Sequence, residues 1–83
     1  MREAPPPVRD VLLKLFWTDK EAFSRCRIVY RSRGSPGDVS SLLGERVVHL
    51  GRSFIEAGGL TLPYHRVLKV VLNGKVLWER VRK

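Results

Sequence analysis

The alternation of apolar and polar positions divides the chain into a helical beginning and a β-rich remainder. After the proline run at residues 5–7, apolar side chains recur at helical spacing, at Val8, Val11, Leu12, Leu15 and Phe16. This one-sided pattern predicts an amphipathic helix that begins at Pro7 or Val8. Thr18 with Glu21 three residues later matches a capping box for a short second helical turn.

The middle of the chain carries short strand patterns separated by turn residues. Residues 26–31 alternate in character, with Cys26, Ile28 and Tyr30 on one face of a predicted strand. Residues 33–38 are rich in Gly, Pro, Ser and Asp and predict a loop. Residues 39–43 fit either a helical turn or a short strand. Two further strand pieces are predicted, at residues 46–50 and 52–56.

The clearest signal is a β-hairpin at the end of the chain. Residues 67–72 and 75–81 flank Asn73-Gly74, the preferred pair for a two-residue type I′ turn. A regular register places Leu72 opposite Lys75 and Lys69 opposite Trp78. One face would then be an aliphatic core face, formed by Leu68, Val70, Leu72 and Leu77. The other face would carry His65, Val67, Lys69, Val71, Val76, Trp78 and Arg80.

These elements predict the α+β class in one small domain spanning residues 1–83. An N-terminal helix would pack on a mostly antiparallel sheet of about four or five strands that ends in the C-terminal β-hairpin. Residues 1–7 are predicted to be an extended N-terminal segment, and residues 8–81 the folded core.

The excess of basic residues indicates which kind of partner the domain binds. Lys and Arg number 16 against 8 Asp and Glu, for a net charge of +8, and eleven of the sixteen are Arg. Arg forks onto phosphates and stacks on bases, so RNA is the favoured partner. The alternative is a basic surface that serves only solubility and ion pairing.

Cysteine usage and hydropathy predict a cytoplasmic protein without a membrane partner. The single cysteine, Cys26, permits no internal disulfide and is interpreted as a small core residue. No apolar run approaches the ~20 residues that a membrane span needs. The sequence has no phosphate-binding loop, no paired-cysteine motif and no acidic cluster, so neither a cofactor nor a metal is expected. Scarce Gln and Asn with abundant Arg point to a thermophile.

Three clusters are candidates for binding RNA. The hairpin face interleaves His65, Lys69, Trp78 and Arg80, where a base could stack on the indole. The alternative is that Trp78 forms a second small core and Lys69 is a solvated cross-strand neighbour, joined to it at most by a cation–π contact.

The second cluster is the string Tyr30-Arg31-Ser32-Arg33-Gly34, where a strand runs into a glycine turn. Two Arg two residues apart could clamp one phosphate, and the glycine would allow close backbone approach. The alternative is that these arginines are solvated surface residues beside a turn glycine and bind nothing. The third cluster is Leu62-Pro63-Tyr64-His65-Arg66, where proline predicts a strand edge or bend and Arg66 could fork to a phosphate.

Two other function classes stay open beside RNA binding. A small phosphodiesterase or nuclease could use His65 and Arg66, with His49 or Lys69 as a helper. A structural protein could instead dock its basic surface on an acidic partner or a ribonucleoprotein.

The order of the motifs resembles the small archaeal family called the RNA cyclic-group end recognition domain. The resemblance covers nearly the whole chain. It rests on an apolar helix containing a Trp, then Ile28-Val29-Tyr30-Arg31-Ser32-Arg33-Gly34, then Leu62-Pro63-Tyr64-His65-Arg66-Val67, then Asn73-Gly74-Lys75-Val76-Leu77-Trp78-Glu79-Arg80.

The resemblance implies a binding module rather than an enzyme. It implies recognition of RNA ends that bear a 2′,3′-cyclic phosphate, in RNA processing or repair, with RNA end-processing enzymes as further partners. The positions that it marks are Tyr30, Arg31, Arg33, Gly34, His65, Arg66 and Trp78. One departure is Ser32, where the family usually has an acidic residue that could orient an Arg or cap the turn.

Overall fold

Two helices are followed by seven strands in the part of the chain that the structure describes. The structure is a computed structural model that describes residues 8–80. The helices are α1 (Val8–Thr18) and α2 (Lys20–Arg25). The strands are β1 (Arg27–Arg31), β2 (Val39–Leu43), β3 (Val47–Leu50), β4 (Phe54–Ala57), β5 (Leu60–Pro63), β6 (Val67–Leu72) and β7 (Lys75–Glu79). The predicted extended segment at residues 1–7 and the end of the predicted hairpin at Val81 lie outside the described residues.

The strands form two antiparallel sheets, so the predicted α+β class is confirmed. The larger sheet has the order β2-β1-β6-β7 and the smaller one the order β3-β4-β5. The strand total exceeds the expected four or five because residues 39–43 form a strand and the smaller sheet is separate. The hairpin β6–β7 and the strand at residues 27–31 lie where the alternation predicted them.

The helix pair begins as predicted but is capped differently. Helix α1 begins at Val8 and buries Val8 and Leu12, the two positions at the centre of its apolar stripe. The predicted capping box is wrong, because the Asp19 side chain is the cap of α2 and accepts from the Ala22 N–H at 3.0 Å. Thr18 remains the last residue of α1, where its hydroxyl donates to a carbonyl one turn earlier, at 2.7 Å.

The core lies between the helices and the two sheets. Its fully buried side chains come from α1, from both sheets and from the residue before β1: Leu12, Ile28, Ile55, Leu62, Val67, Val70 and Cys26. Burial raises the pKa of the Cys26 thiol to about 11, so it stays protonated at neutral pH. The prediction that Cys26 is a core residue is confirmed.

Two β-bulges change which hairpin residues face the core. The pairs Leu72–Lys75 and Val71–Val76 follow the predicted register, but Val70 then pairs with Trp78 and leaves Leu77 as an extra residue. A second shift, between β6 and β1, does the same at Leu68. The predicted division into two faces is therefore wrong. It placed Val67 and Trp78 on one face and Val70 on the other, whereas all three are buried together.

Strand β5 ends at a proline, which it tolerates because it is an edge strand. Pro63 pairs with Phe54 of β4, and within residues 8–80 no strand pairs with the other side of β5. Proline lacks the N–H that a central strand would need, and an edge position tolerates this. A 3-10 turn, Tyr64–Arg66, then leads into β6. The edge predicted at Pro63 is confirmed.

Candidate functional site

A groove of about 480 Å³ lies where the end of β1 approaches the outer edge of β5. We call it the arginine groove. Its walls bring together four of the sequence-predicted candidates, Tyr30, Arg31, Arg33 and Arg66, from segments far apart in the chain. The remaining walls are Ser32 and four residues of β5: Leu60, Thr61, Leu62 and Pro63. The described residues that line it include three arginines and no acidic side chain.

The turn that carries Arg33 is fixed by its serines. The Ser35 N–H donates to the Ser32 carbonyl at 3.2 Å, and the two hydroxyls lie 3.0 Å apart. Gly34 occupies the third turn position with φ +94°, a conformation that favours glycine. Open space surrounds the place where a Cβ would stand, so the glycine is required by the backbone and not by crowding. Ser32 thus ties the turn together at the position where the resembled family has an acidic residue.

The turn that carries Arg66 is held from outside by Arg80. The Arg80 guanidinium donates to the carbonyls of Val67, at 3.0 Å, and Tyr64, at 3.1 Å, which flank the turn on both sides. The Tyr64 hydroxyl donates to the Gly51 carbonyl at 2.8 Å and anchors the start of the turn to the smaller sheet. Burial raises the pKa of this phenol, which keeps it a proton donor. Arg66 is therefore presented from a rigid turn.

The charges of the three groove arginines are available to a ligand. All three are exposed, and within the described chain their guanidinium groups make no hydrogen bond or ion pair. Three uncompensated positive charges along one concave wall create a positive potential that attracts anions. Each planar guanidinium also offers the paired donors that phosphate oxygens accept. The groove is thus suited to a phosphate group.

Arg31 and Arg33 also line a neighbouring depression of about 390 Å³, on the side of Gly37 and Asp38. They therefore stand on the ridge between two concavities. The structure places both arginines on the same two walls, and their joint action on one phosphate stays a prediction.

A family model described as the MJ1316 RNA cyclic group end recognition domain matches residues 1–80. The chain belongs to this family.

The relatives of the chain are archaeal UPF0248 proteins. A UPF0248 protein of Pyrococcus abyssi is 38% identical over 79 residues, which cover 92% of this chain and 94% of the relative. One from Thermococcus onnurineus is 37% identical over 73 residues, covering 87% and 83%. No solved structure matches the chain.

For this member of the end recognition domain family, the other predicted site residues lie outside the arginine groove. His65 is exposed on the turn beside Arg66 but does not line the groove. Lys69 is half-buried and pairs with Val29 and Glu79, on the side of the larger sheet away from the core.

Trp78 and Arg80 contact each other and have a structural role in this chain. Trp78 is only 8% exposed because the bulge at Leu77 turns its side chain into the core. The Arg80 guanidinium lies over the indole, 5.4 Å from its centre, and is held by the two carbonyls. The hairpin face that the sequence predicted as a stacking surface is therefore not formed. The cation–π contact is present, with Arg80 as the cation instead of Lys69.

The two histidines are not brought together. His49 lies in β3 opposite Glu56, while His65 follows β5, and neither lines the arginine groove. Within residues 8–80, no three His, Cys, Asp or Glu side chains are grouped so that they could hold a metal ion. No helix of this described part is long and apolar enough to cross a membrane.

Sequence reasoning missed the contribution of β5 to the groove wall. Leu60 and Thr61 carried no signal of their own, because they look like any short strand. The proline at position 63 was the available clue, since it predicted an edge and an edge strand can form a groove wall.

Proposed function

We propose that this member of the MJ1316 RNA cyclic group end recognition domain family is an RNA-binding module without catalytic activity. It recognises the terminal phosphate of an RNA end, and the preferred end is a 2′,3′-cyclic phosphate. The observation that carries the proposal is the arginine groove. Three unpaired arginines from two distant segments line it, with Tyr30 beside them and no acidic side chain among the described walls.

Charge alone does not explain a preference for the cyclic end. A linear 3′-phosphate carries more negative charge, so three arginines by themselves favour it. A cyclic phosphate has fewer charged oxygens and a compact ring fused to the ribose. Apolar walls at Leu60, Leu62 and Pro63 favour that less hydrated group, because burying a doubly charged phosphate against them costs more. We propose that this cost of burying charge outweighs the stronger attraction of the arginines for the linear phosphate, so that the groove prefers the cyclic end.

The groove supports binding better than catalysis. General acid–base chemistry on RNA needs a titratable side chain within hydrogen-bond reach of the reacting oxygen. Apart from Tyr30 and the arginines, the described walls contain no titratable side chain. The alternative phosphodiesterase is built on His65 and Arg66, and His65 does not line this groove. RNA end-processing enzymes enter this proposal as partners that supply the chemistry.

The proposal is tested with one short single-stranded RNA carrying three different ends. The ends are a 2′,3′-cyclic phosphate, a linear 3′-phosphate and a 3′-hydroxyl, and each dissociation constant is measured at two salt concentrations. We expect the cyclic end to bind about tenfold tighter than the hydroxyl end at both salts, as one added charge-assisted contact predicts. The RNA should remain uncleaved after long incubation with excess protein between pH 5 and 8.

Equal binding of all three ends, with affinity that collapses as salt rises, would contradict the proposal. The chain would then be a general polyanion binder that acts through counterion release. Cleavage of the cyclic end by the protein would contradict the proposal that it lacks catalytic activity and would support the phosphodiesterase alternative.

A further inference from the structure

A second depression continues the arginine groove along the chain's two sheets. It has a volume of about 460 Å³, and it shares two wall residues with the arginine groove, Tyr30 and Leu60. The two concavities therefore adjoin at Tyr30 and Leu60, and together we call them the trough. We call the new part the far depression, because it runs from Tyr30 away from the arginine cluster, toward the 3-10 turn Gly44–Arg46.

The far depression has a cation of its own. Arg46 lines it and is exposed, and its guanidinium makes no hydrogen bond or ion pair within residues 8–80. Arg27 also lines it but donates to the Ser41 hydroxyl at 3.2 Å. Glu45 is the acidic residue of this wall, so the net potential is weaker here than in the arginine groove. The trough therefore has a strongly basic end and a mildly basic end.

Tyr30 stands at the junction of the two parts. It is half-buried on β1, where it pairs with Ser40 of β2, and it packs against the hydrophobic core, which restrains its ring. From Ser40, strand β2 continues along the far depression to the turn that carries Arg46. A fixed aromatic ring between two phosphate-binding positions is the arrangement that single-stranded nucleic acid binders use for stacking.

The outer edge of β5 forms the facing wall. Leu60 lines both parts and Thr61 lines the arginine groove. Since β5 is an edge strand in the described structure, its outward backbone N–H and C=O groups have no strand partner. Such groups can pair with base edges that are free only in single-stranded RNA.

From these observations, and resting on the proposed function, we infer that the trough binds the last two nucleotides of a single-stranded RNA end. The terminal phosphate lies at Arg31, Arg33 and Arg66, and the terminal nucleoside lies against Tyr30. The nucleotide on its 5′ side lies in the far depression, and the phosphate that joins the two nucleotides lies at Arg46. The ligand is accordingly an oligonucleotide end and not a free nucleotide.

The length of the ligand tests this inference directly. We expect a cyclic-phosphate dinucleotide to bind about tenfold tighter than the cyclic-phosphate mononucleotide of the same terminal base, given the usual strength of one charge-assisted contact between the added phosphate and Arg46. A trinucleotide with the same end should gain less than about threefold more, because the trough is then full. Calorimetry at one fixed salt concentration measures all three.

A pair of variants separates Arg46 from general charge. Arg46→Ala should remove most of the gain from mononucleotide to dinucleotide and leave mononucleotide binding unchanged. Lys75→Ala is the matched control, because Lys75 is exposed on the hairpin and lines neither part of the trough. It removes one charge and should leave the length dependence intact. Circular dichroism confirms that both variants are folded.

The outcomes distinguish this inference from the proposed function. Equal affinity for mononucleotide and dinucleotide, or an Arg46→Ala variant that behaves as Lys75→Ala, overturns the two-nucleotide trough even if the cyclic end is preferred. Loss of any preference among the three ends, with the length step and its Arg46 dependence retained, overturns end recognition and supports a single-stranded RNA site two nucleotides long.

Discussion

Arg66 and Arg80 are the same residue type in neighbouring segments, yet the structure uses them oppositely. Arg66 is exposed, lines the arginine groove and has no partner among residues 8–80. Arg80 is half-buried, lies over the Trp78 ring and donates to two backbone carbonyls on either side of the Arg66 turn. One arginine is available to a ligand, and the other holds it in place. Residue type alone does not separate a binding role from a positioning role, whereas the hydrogen-bond partners do.

The largest expected effect is on stability and is at Trp78, the aromatic residue over which Arg80 lies. Trp78→Ala removes a side chain that is only 8% exposed and should cost about 3–5 kcal/mol of unfolding free energy. In a domain of this size that is much of the total stability. Urea unfolding followed by circular dichroism measures the loss, and Trp78→Phe should lose less because it refills part of the space.

The opposite result at Trp78 would break the comparison. If Trp78→Ala kept its stability and instead bound RNA more weakly, the indole would face the ligand. The stacking surface that the regular hairpin register predicts would then be correct, and Arg80 would belong to the binding site.

A smaller effect is expected when the two arginines are replaced in turn. Arg80→Ala removes the guanidinium donor of two carbonyls together with the cation–π contact, at a cost of about 1–3 kcal/mol. Arg66→Ala touches no internal contact and should change stability by less than about 0.5 kcal/mol. Arg80→Lys should recover only part of the loss, because an ammonium lacks the fork that reaches both carbonyls.

Chemical denaturation of the three variants under identical conditions makes this comparison. Similar destabilisation by Arg66→Ala and Arg80→Ala would show that the Arg66 guanidinium also has a structural role. The contrast between the two arginines would then be lost.

The regular parts of the fold could be predicted from the sequence because local periodicity determines them. The apolar stripe of α1, the alternation around Ile28 and the Asn73-Gly74 turn each depend on residues close together in the chain. The bulges at Leu68 and Leu77 could not be predicted in this way. A strand shifts its register where burying Val67, Val70 and Trp78 together is worth more than unbroken pairing, and only the packed core decides that.

The candidate site was predictable in its residue types but not in its geometry. Arg31, Arg33 and Arg66 were identified as candidate phosphate ligands from the chemistry of arginine and from the family resemblance. Their meeting in one groove depends on β5 lying beside the end of β1, a long-range arrangement. Arg46 was missed altogether, because a lone Arg after Gly44-Glu45 has no local feature that distinguishes it from a solvated charge.

The most direct test of the account is whether Arg66 acts on the RNA end or on RNA in general. Dissociation constants are measured for wild type, Arg66→Ala and Lys75→Ala, each with cyclic-ended and hydroxyl-ended versions of one RNA at fixed salt. We predict that Arg66→Ala weakens binding of the cyclic end about tenfold more than binding of the hydroxyl end. Lys75→Ala should affect the two ends alike. Equal losses for both ends in Arg66→Ala would contradict recognition of the terminal phosphate by the arginine groove.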